Sequence, residues 1–315
     1  MEPGDSLMDH LDFTTTVARD GYVWWYVDGM SDDGDHGLTI IAFIGSVFSP
    51  YYARARRRGD GDPENFVSIN VALYGKGGKR WAMTERAQGA LARSCLNLRI
   101  GPSELSVDGD DLVIRIDETT VPWPRRLRGD IRVRPELRTS RTFELDADGR
   151  HRWAPIAPRC RLDVDMQAPA RSWSGLGYLD RNQGDRPLEE DFSYWDWSRA
   201  NIGSETAILY DVVRRDGTEK AIALRIDEAA GMLETAPPPR YALPTNGWRV
   251  PRRTQTEGGA AIIETLEDTP FYSRSTLRTQ LEGKTVTAMH ESLSLDRFRQ
   301  PWVQTLLPFR MPRRN

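Results

Sequence analysis

Short runs of alternating apolar and polar residues, each closed by a turn rich in Gly and Asp, dominate this chain. In the run 67–73 every second residue is apolar, and the run ends in the glycine-rich turn 75–78. Similar apolar-rich runs occur at residues 112–116, 208–213, 221–226, 277–281 and 285–289. Because long segments of period 3.6 are almost absent, this spacing predicts an all-β fold made of sandwiches or antiparallel barrels.

A change in composition at residues 167–170 predicts a boundary between two domains. There a run that alternates as a strand, 161–166, gives way to small residues and Pro169. We therefore expect one domain over residues 1–167 and a second over residues 168–315, each with room for its own core. The Pro-rich stretch 236–239 indicates a rigid loop inside the second domain.

Charge, cysteine content and hydropathy limit the kinds of partner and the compartment that we expect for this chain. Lys+Arg number 43 and Asp+Glu 46, so the formal charge is 43 − 46 = −3 and no basic face for nucleic acid is expected. Cys95 and Cys160 lack CxxC spacing, which favours a reducing compartment. The N-terminus lacks the apolar core of a signal peptide, and the longest apolar stretch, 38–48, is about half of the ~20 residues that a spanning helix needs. These features predict a cytoplasmic protein that is not integral to a membrane.

The sequence carries no complete motif for a metal or a nucleotide. The acidic stretch 60–64 could open a calcium loop, but Asn65 and Val71 stand where that loop needs Gly and Glu. The stretch 175–177 lacks the third glycine of a dinucleotide fingerprint, and His290 lacks the second histidine of a zinc motif. We expect a protein that uses no metal and no cofactor.

Two segments, 22–52 and 173–211, combine many aromatic residues with isolated acids. A single ring of this kind most often fills a core, whereas the whole set indicates a deep apolar cavity with a few polar groups at its base. The candidate substrate-binding residues are Trp24, Tyr51, Tyr178, Asn182, Trp195, Trp197, Tyr210 and Tyr272.

The same segments resemble the carotenoid 1,2-hydratases (hydroxyneurosporene synthases) of photosynthetic bacteria. In the first half the likeness lies in 34–52 (GDHGLTIIAFIGSVFSPYY), 63–75 (PENFVSINVALYG) and 83–86 (MTER). In the second half it lies in 173–180 (WSGLGYLD), 191–199 (DFSYWDWSR), 210–211 (YD), 270–274 (PFYSR) and 290–298 (HESLSLDRF). The order is that of the family along nearly the whole chain.

The resemblance implies addition of water across the terminal C1=C2 bond of an acyclic carotenoid such as neurosporene or lycopene. It also implies a fold of two lipocalin-like antiparallel β-barrels, which agrees with the predicted strands. One stretch departs from the family: members often carry Asp-His-Asn-Trp-Gly where residues 180–184 read Asp-Arg-Asn-Gln-Gly. A role for side chains at positions 181 and 183 is therefore in doubt, while Asp180 and Asn182 match.

The chemistry requires a carboxylic acid that stays protonated near neutral pH. Protonation of the alkene at C2 gives a tertiary cation at C1, which water captures, and burial can supply the necessary acid by disfavouring the carboxylate. Asp211 follows an apolar strand and is the best-placed donor, although a strand-end aspartate can also face solvent. Asp180 is the second candidate. Asp35 and His36 could orient the water at a cavity rim, or they could form an ordinary turn.

Two other functions use similar features. A related barrel enzyme could steer cyclisation of a polyene through shape alone, and a non-catalytic carrier could hold a lipophilic pigment without any need for buried acids. The carotenoid substrate also implies peripheral contact with the photosynthetic inner membrane. The stretch 301–309, apolar and followed by Arg310, Arg313 and Arg314, suits an anionic lipid surface, although a C-terminal strand with a solvated tail has the same composition.

Overall fold

The protein is described by a computed structural model over residues 6–314. The N-terminus examined above for a signal peptide therefore lies partly outside the described residues. The chain is mostly β, as its alternating pattern predicts, and each run named above lies within a strand. That coarse part of the fold prediction is confirmed.

The helices are short and the strands make up most of the chain. The helices are α1 (Leu7–Leu11), α2 (Pro50–Arg56), α3 (Leu188–Asp191), α4 (Leu295–Phe298) and α5 (Pro301–Leu306), with 3-10 turns at Pro63–Asn65, Gln88–Ala90 and Leu307–Phe309. The strands are β1 (Tyr22–Ser31), β2 (His36–Ile44), β3 (Val67–Gly75), β4 (Arg80–Arg86), β5 (Leu91–Ser94), β6 (Asn97–Ile100), β7 (Ser103–Asp108), β8 (Asp111–Thr119), β9 (Arg126–Leu137), β10 (Phe143–Glu144), β11 (His151–Ala168), β12 (Ala170–Gly184), β13 (Phe192–Ile202), β14 (Glu205–Arg214), β15 (Glu219–Asp227), β16 (Gly231–Thr235), β17 (Arg240–Leu243), β18 (Arg252–Gln255), β19 (Ala260–Asp268), β20 (Tyr272–Leu281), β21 (Lys284–Ser294) and β22 (Arg313–Arg314).

The chain forms two compact units. Unit 1 holds the described residues of Met1–Pro187 and Thr305–Asn315, and unit 2 is Leu188–Gln304. The position expected for a domain boundary, 167/168, lies instead at the turn of the long β11–β12 hairpin inside unit 1. Pro169 marks the end of a strand there, because a hairpin turn and a linker share the same small residues and Pro.

Unit 1 is built on one strongly curled antiparallel sheet. Its hydrogen-bonded order is β22-β4-β3-β2-β1-β12-β11-β9-β8-β7-β6-β5, with β10 paired to β11. The curl brings β4 against β8, where Arg86 Nη2 lies 2.8 Å from Glu118 Oε2 in a buried ion pair. Inside the curl, β1 to β4 pack on β6 to β9 through an apolar core. Among the residues that alternate into this core are Val23, Trp25, Val27, Ile40, Val71, Leu105, Ile114 and Ile131.

Unit 2 is a seven-stranded antiparallel sheet covered by a two-stranded ribbon. The order of the sheet is β16-β15-β14-β13-β21-β20-β19, and the ribbon is β17 paired with β18. Leu243 of the ribbon joins a small apolar core on one sheet face, together with Leu209 and Leu277. Beyond this core, the contact between ribbon and sheet is polar.

The C-terminal stretch 301–309 is helical rather than extended. It forms α5 and a 3-10 turn, and the chain then pairs β22 in parallel with β4. Val303, Leu307 and Met311 are buried at helical spacing, so one face of the segment belongs to the core. Within residues 6–314, no helix combines the length and the apolar character needed to cross a bilayer.

Candidate active site

The second face of the unit 1 sheet carries rings and acids instead of aliphatic side chains. In the β1–β12 pairing, Tyr26 lies opposite Asp180 and Asp28 lies opposite Tyr178. Residues opposite one another in an antiparallel pair share a face, so these four side chains lie together. All of them are buried. We call this side of the sheet the ring face.

Asp180 lies at the centre of the ring face and is 4% exposed. Its Oδ2 accepts hydrogen bonds from Trp153 Nε1 and from the Tyr178 hydroxyl, both at 2.9 Å. Its Oδ1 lies 3.3 Å from Asn182 Nδ2. Burial, followed by the charge of Asp180 and its hydrogen bond, raises the pKa of Tyr178 well above its ordinary value, so the phenol keeps its proton and remains a donor. The three groups that contact Asp180 here are neutral.

A second aspartate, Asp28, lies diagonally across the same strand pair. It is completely buried, and its Oδ2 accepts a hydrogen bond of 3.0 Å from the Tyr26 hydroxyl. The Tyr26 and Tyr178 rings meet edge to face with centroids 6.1 Å apart. Two carboxyls and two phenols therefore form one buried polar cluster.

A row of rings extends the ring face across neighbouring strands. Tyr22 stacks on Trp24 at 4.9 Å between centroids, and Trp24 lies 5.9 Å from Phe43 of β2. At the other end, the Tyr22 hydroxyl lies 2.8 Å from Nδ1 of His151 on β11. The row places rings of the segment 22–52 on the same sheet face as the two acids.

Two residues of this site were missed in the sequence. His151 and Trp153 lie on β11, opposite Gly184 and Asn182 of β12, and so point to the ring face. Both residues lie at the start of β11 and are two positions apart, so the sequence alone could have placed them on one face of a strand. Which residues of β12 they lie opposite follows only from the register of the hairpin.

A further buried carboxyl, that of Glu85 in β4, lies on the same face. Glu85 is opposite Ser68 of β3, and Ser68 is opposite Phe43 of β2. Burial raises its pKa to about 7, against the lowering effects of Ser49 and Arg313. Arg313 Nη1 lies 2.6 Å from Glu85 Oε1, and the two residues pair between β22 and β4. Glu85 therefore anchors the C-terminal strand.

In unit 2, Asp211 lies in a strand and is buried, but one of its two partners is cationic. Arg240 Nε and Nη2 lie 2.8 and 2.7 Å from its Oδ1, and Gln255 Nε2 lies 2.9 Å from its Oδ2. Both partners belong to the ribbon. This is the surrounding of an ionised aspartate that fastens the ribbon to the sheet.

Asp196, directly opposite Asp211 in the β13–β14 pair, fastens the ribbon in the same way. It accepts hydrogen bonds from Ser292 Oγ at 2.5 Å and from Arg253 Nε at 3.0 Å. Burial raises the pKa of Asp196 to about 7 despite these partners, and burial lowers the pKa of nearby His290 to about 4. The sequence did not single out Asp196.

The predicted binding residues of unit 2 lie on the opposite face of that sheet. Trp197 pairs with Tyr210, whereas Asp196 pairs with Asp211, and successive residues of a strand alternate between faces. The rings of Trp195 and Tyr210 are 5.0 Å apart, and Tyr272 shares this face. Asp211 is therefore separated by the sheet from the rings expected to surround it.

The predicted binding residues of unit 1 do not all lie at one place. Trp24, Tyr178 and Asn182 lie on the ring face, together with Asp180. Tyr51 lies on helix α2 and is partly exposed.

Asp35 and His36 lie at the turn between β1 and β2, and Asp35 forms an ion pair with Lys76. His36 lies on the same side of β2 as the core residues Leu38 and Ile40, which is the side opposite the ring face. The structure therefore does not bring this pair to Asp180.

Arg181 and Gln183, the two departures from the family pattern, point away from the ring face. Arg181 pairs with Trp25, and both side chains contact the Leu11 carbonyl, Trp25 Nε1 at 2.6 Å and Arg181 Nη1 at 3.3 Å. Strand alternation places the matching residues Asp180 and Asn182 on the other side. The departures leave the acid cluster intact.

A groove of about 650 Å³ lies on β8, β9, β11 and β12 of unit 1, and its lining includes neither Asp180 nor Asp28. Arg132, Arg134 and Asp163 of that lining are engaged in ion pairs. Over residues 6–314, no group of three or more His, Cys, Asp or Glu side chains is placed to hold a metal ion.

Similarity to characterised proteins covers most of the chain. The chain is 57% identical over 304 residues to an acyclic carotenoid 1,2-hydratase of Thiocapsa roseopersicina, covering 96% of this chain and 75% of that protein. It is 48% identical over 309 residues to the enzyme of the same name from Rubrivivax gelatinosus, covering 96% and 76%.

The fold resembles that of a candidate AttH protein from Nitrosomonas europaea whose structure is solved. The TM-score is 0.59 at 15% identity, over 93% of this chain and 98% of the other. The family model described as "Carotenoid hydratase CrtC" matches residues 40–315. This chain belongs to the CrtC carotenoid hydratase family.

Proposed function

We propose that this protein is an acyclic carotenoid 1,2-hydratase, which adds water across the terminal C1=C2 double bond of neurosporene, lycopene or a similar carotenoid. The names of the relatives at 57% and 48% identity support the reaction. The observation that carries it is Asp180, a buried carboxyl held by neutral donors on a face lined with rings. A carrier of pigment would have no use for such a group.

Asp180 supplies the proton in this mechanism. Burial among rings disfavours the ionised carboxyl, and the donors described above are an indole, a phenol and an amide. Oδ2 accepts two hydrogen bonds of 2.9 Å and Oδ1 only the longer one of 3.3 Å from Asn182, so we place the acidic proton on Oδ1. The alkene takes that proton at C2, its π electrons form the C–H bond, and C1 becomes a tertiary cation that water captures. Neither step requires a metal or a nucleotide.

The rings next to Asp180 stabilise the cation. A desolvated aromatic face contributes about 2 kcal/mol to a cation placed over it. Trp153 and Tyr178 contact the acid, and Tyr26 lies directly opposite it in the sheet register. Asp211 would have a different task, since its ion pair with Arg240 holds the ribbon of unit 2.

For the fold, we propose that each unit is a lipocalin-like antiparallel barrel. The curl of the unit 1 sheet, which brings β4 to β8, supports a barrel there. In unit 2 the ribbon closes over one face of the sheet. The domains then correspond to the two units, with a boundary at 187/188 in place of 167/168.

For location, we propose peripheral contact with an anionic membrane through the C-terminal segment. Trp302, Leu306 and Phe309 are exposed by 42%, 42% and 73%, although the inner face of the same segment is buried. Residues 297–315 hold five arginines and no acidic residue. Exposed rings beside cations suit the headgroup region of an anionic lipid surface, where the substrate dissolves.

We expect purified protein to hydrate neurosporene or lycopene in liposomes with EDTA present and no cofactor added. Mass spectrometry should detect a product heavier by one water. Loss of activity in EDTA that one particular metal restores would contradict cofactor independence, and absence of any hydrated product would contradict the proposed reaction.

Asp180→Asn should lower the hydration rate by at least ~10²-fold, because the amide keeps the shape but cannot donate the acidic proton. Carotenoid binding and the melting temperature should change little. The matched control is Asp211→Asn, which should lower the melting temperature by loosening the ribbon and keep most of the rate. If Asp211→Asn is folded but inactive while Asp180→Asn is active, Asp211 is the proton donor and Asp180 is not.

Replacing Trp302, Leu306 and Phe309 by Ser should reduce flotation with anionic liposomes. Point variants are preferable to truncation, because the segment also buries Val303 and pairs β22 with β4. Trp123→Ser is the control, since Trp123 is 77% exposed outside the segment. Equal flotation of both variants and the wild type would remove the segment from the proposal.

A further inference from the structure

We propose that Asp28 is the general base of the hydration, receiving a proton from the water that attacks C1. The inference rests on the proposed hydratase function and extends it, because protonation of the alkene accounts for only half of the reaction. The attacking water must lose a proton, and a buried site needs a group that accepts it.

The register of β1 and β12 places Asp28 where that group is needed. Asp28 lies opposite Tyr178, and Asp180 lies two residues further along β12, opposite Tyr26. Diagonal neighbours of this kind have Cα atoms about 7–8 Å apart and project to the same side. In inverting glycosidases, carboxyl groups about 6.5–9.5 Å apart leave room for a water between acid and base. Two carboxyls that project from these positions can leave similar room.

The contacts of Asp28 fit a carboxylate that accepts a proton. Asp28 is fully buried, and the Tyr26 hydroxyl donates to its Oδ2 at 3.0 Å. Its negative charge acts on Tyr178, whose pKa is raised chiefly by burial, then by Asp180, and also by Asp28. The negative charge of Asp28 thus acts on the Tyr178 hydroxyl, which donates a hydrogen bond to Asp180.

Other titratable groups share this face. On β1, β11, β12 and β4 they are Tyr22, Tyr26, His151, Tyr178, Asp180 and Glu85. β2 places the non-titratable Thr39 opposite Asp28. Of the carboxyls in this group, Asp180 is the one diagonal to Asp28, whereas Glu85 is ion-paired with Arg313 three strands away from β1.

The protons balance over one cycle. Asp180 gives its proton to C2 and becomes a carboxylate. A lone pair of the water oxygen forms the C1–O bond, the water O–H bond breaks with its electrons kept on oxygen, and the proton passes to Asp28. Asp180 is then ionised and Asp28 protonated. The proton returns from Asp28 to Asp180 within the buried cluster, where the Tyr26 hydroxyl contacts Asp28 and the Tyr178 hydroxyl contacts Asp180, so the pair holds one proton throughout.

The test is the pH profile of kcat/KM for Asp28→Asn, with carotenoid in liposomes. The wild type should give a bell-shaped profile, falling at low pH as Asp28 is protonated and at high pH as Asp180 is ionised. Asp28→Asn should lower the maximal rate by about 10²-fold and abolish the low-pH fall. Asp28→Glu should restore the low-pH fall and part of the rate.

Tyr26→Phe keeps both carboxyls and gives a second reading if Asp28→Asn folds poorly. Removing a donor to the Asp28 carboxylate should move the low-pH fall to higher pH. A low-pH fall that persists in Asp28→Asn, or one that stays in place in Tyr26→Phe, would overturn the proposal. If the wild type hydrates the carotenoid and Asp180→Asn does not, either of these two results refutes the role of Asp28 and leaves the hydratase function standing. If the wild type forms no hydrated product, the proposed function itself is refuted.

Discussion

The pairing of β1 with β12 is the constraint on which the candidate site depends. Its register alone places Asp180 opposite Tyr26 and Asp28 opposite Tyr178. A shift by one residue would send these side chains into the aliphatic core. Close approach in this region needs glycine: a Cβ on Gly177 would lie 2.7 Å from the backbone oxygen of Asp28 and 2.6 Å from Leu162 Cγ. The glycine therefore allows the core and the acids to occupy opposite sides of one thin sheet.

The two units use buried aspartates in different ways. In unit 2, Asp196 and Asp211 face guanidinium groups of the ribbon, and each ion pair offsets the cost of burying its charge. In unit 1, Asp180 receives hydrogen bonds from an indole, a phenol and an amide. A cationic partner favours the charged form of a carboxylate, although burial still raises the pKa of Asp196 to about 7. Neutral donors in an apolar surrounding leave room for the acid form. Burial alone does not distinguish the structural acids from the proposed catalytic one.

The sequence predicted the strands well because a period of two is a local property. It also offered Trp24, Tyr178, Asp180 and Asn182 among a larger set of candidates, and the register of β1 and β12 brings these four to one face. It could not reveal Arg240 and Gln255 as partners of Asp211, because they lie on a ribbon far along the chain. Alternation did contain a warning, since Tyr210 and Asp211 are adjacent in a strand and must face opposite ways.

The domain boundary and the C-terminus show another limit of local patterns. The same small residues and Pro169 suit a linker or a hairpin turn, and only the pairing of β11 with β12 decides between them. The stretch 301–309 is apolar on both of its faces, so its composition fitted a strand as well as a helix. The buried Leu307 and the Glu85–Arg313 ion pair fix the end of this stretch in unit 1, whereas residues 301–304 belong to unit 2.

The central claim is that Asp180 is a protonated acid in the resting protein. Infrared difference spectroscopy of protein labelled with ¹³C at the aspartate side-chain carboxyl, compared with Asp180→Asn, measures this directly and separates Asp180 from Glu85. The account predicts a protonated aspartate band near neutral pH that disappears in Asp180→Asn, while the contribution of Asp196 persists in both. If Asp180→Asn removes only a carboxylate band and no protonated band, the claim that Asp180 is protonated is contradicted.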